Sequence, residues 1–245
     1  MMRLLIVGAS SAIAEATARE FAKRGAALFL VGRSIPRLKA IADDLRIRGA
    51  GNVATYQLDV RDLAAYEGML DAATEALGGL DSALIAHGTL SDQQECERSV
   101  DTLLDEFQVN AISVMAVCTL LANRFALNNK GVIAVISSVA GDRGRQSNYV
   151  YGSAKAAVTA FTSGLRQRLA KHRVKVVTIK PGFVDTPMTA AFKKGAAWAK
   201  PATVAKEIAR AMTNGTPVIY TPGFWRPIMW LIRSIPEFIF KRISL

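Results

Sequence analysis

Tyr151 and Lys155 stand four residues apart in a chain of 245, with Ser138 thirteen residues before the tyrosine. On a helix, an i,i+4 spacing sets two side chains on one face. A phenol held beside an ammonium is an acid–base pair suited to moving a proton near neutral pH. Bringing a phenol from a pKa of about 10 to near 7 takes roughly 4 kcal/mol, which a close ammonium in a closed site can largely supply. The Tyr-x-x-x-Lys spacing is common by chance, so its placement is what gives it weight. A Ser-Ser pair ends an apolar run, a polar loop follows, and the tyrosine and lysine then arrive one helical turn apart. Tyr149 is a decoy, because Ser153 rather than a lysine stands four residues after it.

A second feature lies near the start, where Leu4–Val7 runs into Gly8-Ala9-Ser10-Ser11-Ala12-Ile13-Ala14 and then a helical pattern. A dinucleotide's pyrophosphate rests against the free N–H groups of a helix that begins in this way. The usual fingerprint has glycines at the places of Ala12 and Ala14, so the turn alone is a weak signal. The next apolar run ends Val31-Gly32-Arg33-Ser34. NAD-selective folds usually present an acidic residue here, whereas an arginine accommodates a 2′-phosphate. NADP(H) is therefore the preferred cofactor and NAD the second. Asp59, ending the third run, is placed either to cap the next turn or to touch an adenine.

Seven short apolar runs supply strands to carry these residues: Leu4–Val7, Ala27–Val31, Val53–Leu58, Ala83–Ala86, Val132–Ile136, Val174–Ile179 and Val218–Tyr220. Most are apolar at consecutive positions, as strands buried on both faces are. Helical patterns lie between them at Ala12–Arg24, Pro36–Arg48, Leu63–Leu77, Ser99–Leu127, Tyr149–Lys171 and Ala202–Thr213. Strict alternation predicts an α/β fold: a doubly wound (Rossmann) parallel seven-stranded sheet with helices on both faces. The length suits a single domain over residues 1–245.

From Gly8 through Asn110, Ser138, Tyr151 and Lys155 to Pro181-Gly182 and Thr186, the chain resembles the short-chain dehydrogenase/reductases. That resemblance implies that Tyr151 protonates a substrate carbonyl while a nicotinamide cofactor delivers hydride. It implies that Lys155 holds the nicotinamide ribose and lowers the Tyr151 pKa. Ser138 would hydrogen-bond the carbonyl oxygen, with its neighbour Ser137 a decoy, and Asn110 would support a water relay. Cofactor contacts would come from Gly8, Ser10, Ser11, Ala12, Ile13, Arg33, Asp59, Val60, Gly88, Pro181, Gly182, Val184 and Thr186, besides Tyr151 and Lys155. Two departures stand out: the alanine-substituted turn, and Ile85-Ala86-His87-Gly88 where the family commonly has Asn-Asn-Ala-Gly. His87 either faces the cofactor or substitutes structurally, and the structural reading is preferred. Ser137–Ser153, together with Ile235–Arg242, further resembles the decaprenylphosphoryl-2-keto-pentose (erythro-pentofuranosid-2-ulose) reductases. This implies a polyprenyl-phosphate-linked 2-keto sugar as substrate. A generic reductase of small or acyl-chain carbonyl compounds is the alternative, and a catalytically idle nucleotide-binding regulator is another.

Composition narrows the partners. The formal charge of +11 is uneven: residues 1–141 carry 13 basic against 16 acidic side chains, and residues 142–245 carry 18 against 4. Phosphate groups, an anionic lipid surface and nucleic acid all fit a basic half. Nucleic acid ranks last, because no aromatic-interleaved stripe or helix-turn-helix pattern accompanies the charge. Lys193, Lys194 and Lys200, near Trp198 in the expected substrate lid, either hold a substrate phosphate or are solvated. The tail at 224–245 sets Trp, Ile and Phe clusters beside Arg226, Arg233, Lys241 and Arg242. It reads either as a peripheral membrane contact or as a cover for the core or a subunit interface. No metal centre is expected from two histidines and two unpaired-looking cysteines, Cys96 and Cys118. The first apolar run is too short for a signal sequence and no apolar stretch reaches 18 residues, so a cytoplasmic protein is expected, peripheral at the inner membrane face if the tail docks there. Homodimers or homotetramers, paired through the helices near Asn110 and Tyr151, follow from the resemblance.

Overall fold

The alternation is realised as one parallel sheet. In the computed structural model, which describes residues 1–243, the strands are β1 (Arg3–Val7), β2 (Ala27–Gly32), β3 (Val53–Gln57), β4 (Ser82–Ile85), β5 (Gly131–Ile136), β6 (Val174–Pro181) and β7 (Val218–Thr221). Their order is β3-β2-β1-β4-β5-β6-β7, with every pairing parallel. Successive residues of a strand face opposite sides, and both sides are covered. Leu5, Val7, Phe29 and Val31 pack toward α3 (Tyr66–Leu77), α6 (Ser113–Leu127) and α7 (Tyr149–Leu169). Leu4, Ile6, Leu28 and Leu30 pack toward α1 (Ala12–Ala22), α2 (Ile35–Ile47) and α8 (Pro201–Asn214). Truncating a buried leucine such as Leu30 to alanine costs about 2–5 kcal/mol. An exposed ion pair such as Arg46–Asp43 is worth under about 1 kcal/mol. Burial on both faces therefore holds the sheet.

The helix predicted from Ser99 to Leu127 runs from Val100 as α5 (Val100–Phe107), a π turn at Gln108–Ile112, and α6. Ser99 caps it, its hydroxyl accepting from Thr102 N at 3.2 Å. By length and composition this 28-residue helix could cross a bilayer, contrary to the expectation for the chain. It is instead a core helix: 56% of its apolar window is buried, with Val114, Val117, Cys118 and Leu121 in the sheet-facing core. One short helix, α4 (Gln93–Arg98), lies outside the expected set. The tail forms two more, α9 (Trp225–Ser234) and α10 (Glu237–Phe240), close to where Pro227 and Pro236 favour short helices. Ser244 and Leu245, the end of the predicted tail, lie outside the described residues.

Strand order reverses direction between β1 and β4, which opens a crevice at their carboxyl ends. Gly8 follows β1 at φ 82°, and a Cβ there would stand 2.5 Å from the backbone nitrogen of His87. Only glycine lets the turns after β1 and β4 approach so closely.

Candidate active site

A cleft of about 1170 Å³ opens along these strand ends, and it collects the sequence-predicted residues. Gly8, Ser10, Ser11, Ala12 and Ile13 line it after β1; Arg33, Asp59 and Val60 line it beyond β2 and β3. Gly88 follows β4, and Pro181, Gly182, Val184 and Thr186 come from the end of β6 and the segment after it. Asn110, Ser138, Tyr151 and Lys155 complete the wall.

Helix α1 starts after Ser11, whose hydroxyl makes no capping bond. The N–H groups of Ala12, Ile13 and Ala14 have no acceptor among the described residues. They carry the positive end of the helix dipole and form a donor set for a pyrophosphate. Ala14 is buried in the face that α1 turns to the sheet, where its methyl fills core space. Arg33 is exposed, and its guanidinium has no partner among the described residues. Arg37 also lines the cleft and donates to the Ser10 carbonyl at 3.0 Å. This second cation was missed by the sequence reading, although its i+4 spacing from Arg33 was an available signal. Asp59 takes the capping role, accepting from Arg61 N at 3.0 Å while remaining on the cleft wall.

Tyr151 and Lys155 lie one turn apart on the α7 face that meets the cleft. Lys155 Nζ is 5.6 Å from the Tyr151 ring centroid and donates to the Ile136 carbonyl at 3.3 Å. Ser138 leaves β5 in extended conformation, and its hydroxyl accepts from Ala140 N at 3.1 Å. Tyr151 is partly exposed at the cleft, yet its surroundings are dry enough that burial pushes its pKa up to about 12; a hydrogen bond with Ser138 pulls the other way. Burial pushes Lys155 down to about 8, with Glu106 opposing. A phenol lowered by Lys155 was expected, and here the phenol stands above its ordinary value because desolvation of the phenolate dominates. A firmly protonated phenol is the form that a proton donor requires. Ser137 is turned inward, donating to the Lys155 carbonyl at 2.9 Å, and Tyr149 is exposed outside the cleft.

A family model described as short chain dehydrogenase matches residues 3–197. The chain belongs to the short-chain dehydrogenase family. An uncharacterized oxidoreductase of Mycobacterium tuberculosis is 34% identical over 240 residues, 98% of this chain and 96% of that relative. An uncharacterized oxidoreductase of Streptomyces coelicolor is 32% identical over 243 residues, 98% of this chain and 95% of that one. Two solved structures share the fold at 23% identity. A short-chain type dehydrogenase/reductase from Mycobacterium marinum has a TM-score of 0.84, covering 92% of this chain and 95% of its own. An actinorhodin polyketide ketoreductase with NADPH has a TM-score of 0.80, covering 89% and 95%. Short-chain dehydrogenases are oxidoreductases that use NAD(P).

Behind the tyrosine and lysine, this short-chain dehydrogenase holds a buried carboxylate that the sequence reading missed. Glu106 is 1% exposed and lies one helical turn before Asn110. Its Oε1 accepts from Asn110 Nδ2 at 2.6 Å, and its Oε2 accepts from the hydroxyls of Thr89, at 2.9 Å, and Ser91. The π turn brings Asn110 to the cleft, where a Cβ on Gly88 would meet Asn110 Oδ1 at 2.6 Å and Lys155 Nζ at 3.4 Å. His87 is buried too. Ser113 gives its proton to the Val109 carbonyl, so His87 Nε2 donates to Ser113 Oγ at 2.8 Å. Burial holds His87 down at about 3, a neutral ring locked to α6.

The lid departs from expectation. Lys194 pairs with Asp185 at 2.6 Å, Trp198 stacks on Phe183 at 5.3 Å, and Val184 bridges to Ala199. These contacts fold the segment back, so Lys193, Lys194, Lys200 and Trp198 do not line the cleft, whereas Phe183, Met188 and Phe192 do. His172 is half-buried just past the end of α7, with Asn129 Oδ1 at 3.3 Å from its Nδ1.

The tail divides its two faces. Trp225 and Met229 are buried against Val139, just past Ser138. Arg143 fixes the tail by donating to the carbonyls of Ile232 and Ile235, at 2.7 and 2.6 Å, and by lying over the Phe240 ring. On the outside, Trp230, Leu231 and Phe238 are each more than 60% exposed, beside exposed Arg226, Arg233, Lys241 and Arg242.

Proposed function

We propose that this short-chain dehydrogenase reduces a ketone to a secondary alcohol with NADP(H). The observation that carries the reading is the convergence of Ser138, Tyr151 and Lys155 on one cleft beside the free N–H groups of α1. A nicotinamide cofactor bound there supplies hydride. Gly8, Ser10, Ser11, Ala12 and Ile13 hold its pyrophosphate, Asp59 and Val60 its adenine end, and Gly88, Pro181, Gly182, Val184 and Thr186 its nicotinamide end. Arg33 and Arg37, with no acidic residue at Gly32, favour the 2′-phosphate of NADP(H). Ser138 orients the carbonyl oxygen, and Tyr151 gives that oxygen a proton as negative charge develops on it. Lys155 holds the cofactor ribose and stabilises the phenolate left behind, and Asn110 supports the relay that returns the proton. Intact acid and cation groups argue against an idle regulator.

For the substrate, a 2-keto sugar carried on a polyprenyl phosphate has the best support. The Ser137–Ser153 stretch resembles enzymes of that class, and the tail's outer face combines aromatic and aliphatic side chains with cations suited to an anionic membrane surface. The protein would then work at the cytoplasmic face of the membrane. A reductase of acyl-chain ketones is the second reading, favoured by the apolar lip of Phe183, Met188 and Phe192. Self-association into a homodimer or homotetramer is supported by exposed Val100, Leu104 and Ile112 along α5 and the π turn. The test is NADPH consumption on a polyprenyl-phosphate 2-keto pentose and on a ketoacyl thioester. Turnover of the first alone is expected, turnover of the second alone selects the second reading, and turnover of neither contradicts both.

A further inference from the structure

One cation in the substrate half of the cleft has no work in the mechanism above. Arg145 lies in the loop between Ser138 and Tyr151 and lines the cleft. Its Nε is shut away from solvent and has no hydrogen-bond partner among the described residues. No ion pair reaches the guanidinium among those residues, and burial alone pulls its pKa down. The acidic groups on the same cleft are otherwise engaged. Asp92 caps α4, accepting from Gln94 N at 2.8 Å and Glu95 N at 3.1 Å, and Glu97 Oε1 accepts from Gln93 Nε2 at 3.2 Å. Three residues after Arg145, Asn148 Oδ1 is also buried without a donor, and it too lines the cleft. An unpaired buried donor or cation is costly unless a ligand completes it. Here an unmatched cationic donor and an unmatched neutral acceptor stand close in sequence, ahead of the proposed proton donor.

We propose that Arg145 and Asn148 form an anion-and-hydroxyl subsite for the carbonyl substrate. Arg145 takes an oxyanion, of a phosphate ester or a carboxylate, and Asn148 accepts from a hydroxyl of the same molecule. The subsite deepens the reductase reading and rests on it only in assigning the ligand as substrate. It also moves recognition of substrate charge from the lid lysines, which do not line the cleft, to the loop that carries the proton donor. A planar guanidinium favours bidentate contact with such oxyanions.

The experiment titrates D-ribose 5-phosphate, D-ribonate and D-ribose onto the protein saturated with NADP, read by ligand-observed NMR. Saturation keeps the anions off the cofactor's own phosphate sites. At least one anion should bind ten or more times more tightly than ribose, and whichever binds better identifies phosphate or carboxylate. Arg145→Gln should abolish that preference, Arg145→Lys should keep part of it, and Asn148→Ala should weaken all three sugars alike. NADPH affinity and thermal midpoint should be unchanged in each variant, which separates loss of the subsite from loss of the fold. No preference in the wild-type chain, or an undiminished preference in Arg145→Gln, overturns the proposal. Anion preference without turnover of any ketone would keep the subsite and remove the reductase reading.

Discussion

Glu106 Oε1 lies 2.6 Å from Asn110 Nδ2, so a buried carboxylate grips the residue proposed to carry the proton relay. Its charge acts on both groups of the α7 pair, raising the pKa of Lys155 and of Tyr151. The other titratable neighbour that it influences is Cys96 on α4. Glu106→Gln keeps the shape and removes the charge. Lys155, at about 8, should then lose its proton at lower pH, and so should Tyr151. Reduction needs both protonated, so the basic limb of the kcat profile should move to lower pH by about one unit. A rate change with an unmoved limb would reduce Glu106 to a structural support.

Arg33 and Arg37 should divide the two cofactors. Hydrogen bonds to charged groups contribute about 1.5–3 kcal/mol, so Arg33→Ala and Arg37→Ala should each raise the Kd for NADPH by about tenfold or more. The Kd for NADH should stay within about twofold. Fluorescence titration of both cofactors checks this, and equal weakening of both would limit Arg37 to bracing the Ser10 carbonyl.

His87 ties stability to acid. Its ring titrates at about 3 when folded, against an ordinary value near 6.5. Between these values the unfolded chain binds the extra proton, so stability falls as pH drops below 6.5. Urea unfolding at pH 7 and pH 4.5 should show a loss up to about 2.5 kcal/mol larger for the wild-type protein than for His87→Asn. Parallel losses in the two proteins would show that the ring is protonated in the folded state.

The fold was legible because most strands are apolar at consecutive positions, a pattern that a parallel sheet between two helical layers requires. β3 and β6 carry polar residues such as Thr55 and Lys175 and were legible from their β-branched content and spacing. Tyr151, Lys155, Ser138 and the first turn were legible because their spacing follows directly from a helix face or a strand end. Glu106 and Arg37 sit at equally regular spacings from Asn110 and Arg33. A charged residue on an amphipathic helix ordinarily reads as solvated, however, and only the packing of α4 and α7 shows Glu106 to be buried. The lid lysines failed for the complementary reason. Their charge was visible, but the Trp198–Phe183 stack and the Lys194–Asp185 pair that hold them away from the cleft are tertiary contacts.

The tail should bind lipid through its outer face. Flotation with vesicles rich in phosphatidylglycerol should recover the wild-type chain, and phosphatidylcholine vesicles should recover much less. Trp230→Glu with Leu231→Glu should abolish recovery without a change in thermal midpoint, because both side chains are largely exposed. Flotation unaffected by the double substitution would assign that face to another partner.

The most direct measurement compares NADPH-dependent ketone reduction by the wild-type protein and by Tyr151→Phe. Removing a general acid should lower kcat by about a hundredfold or more while the Kd for NADPH stays within about twofold. Full activity in the phenylalanine variant would contradict the assignment of Tyr151 as the proton donor, and with it the catalytic role proposed for the Ser138–Tyr151–Lys155 cleft.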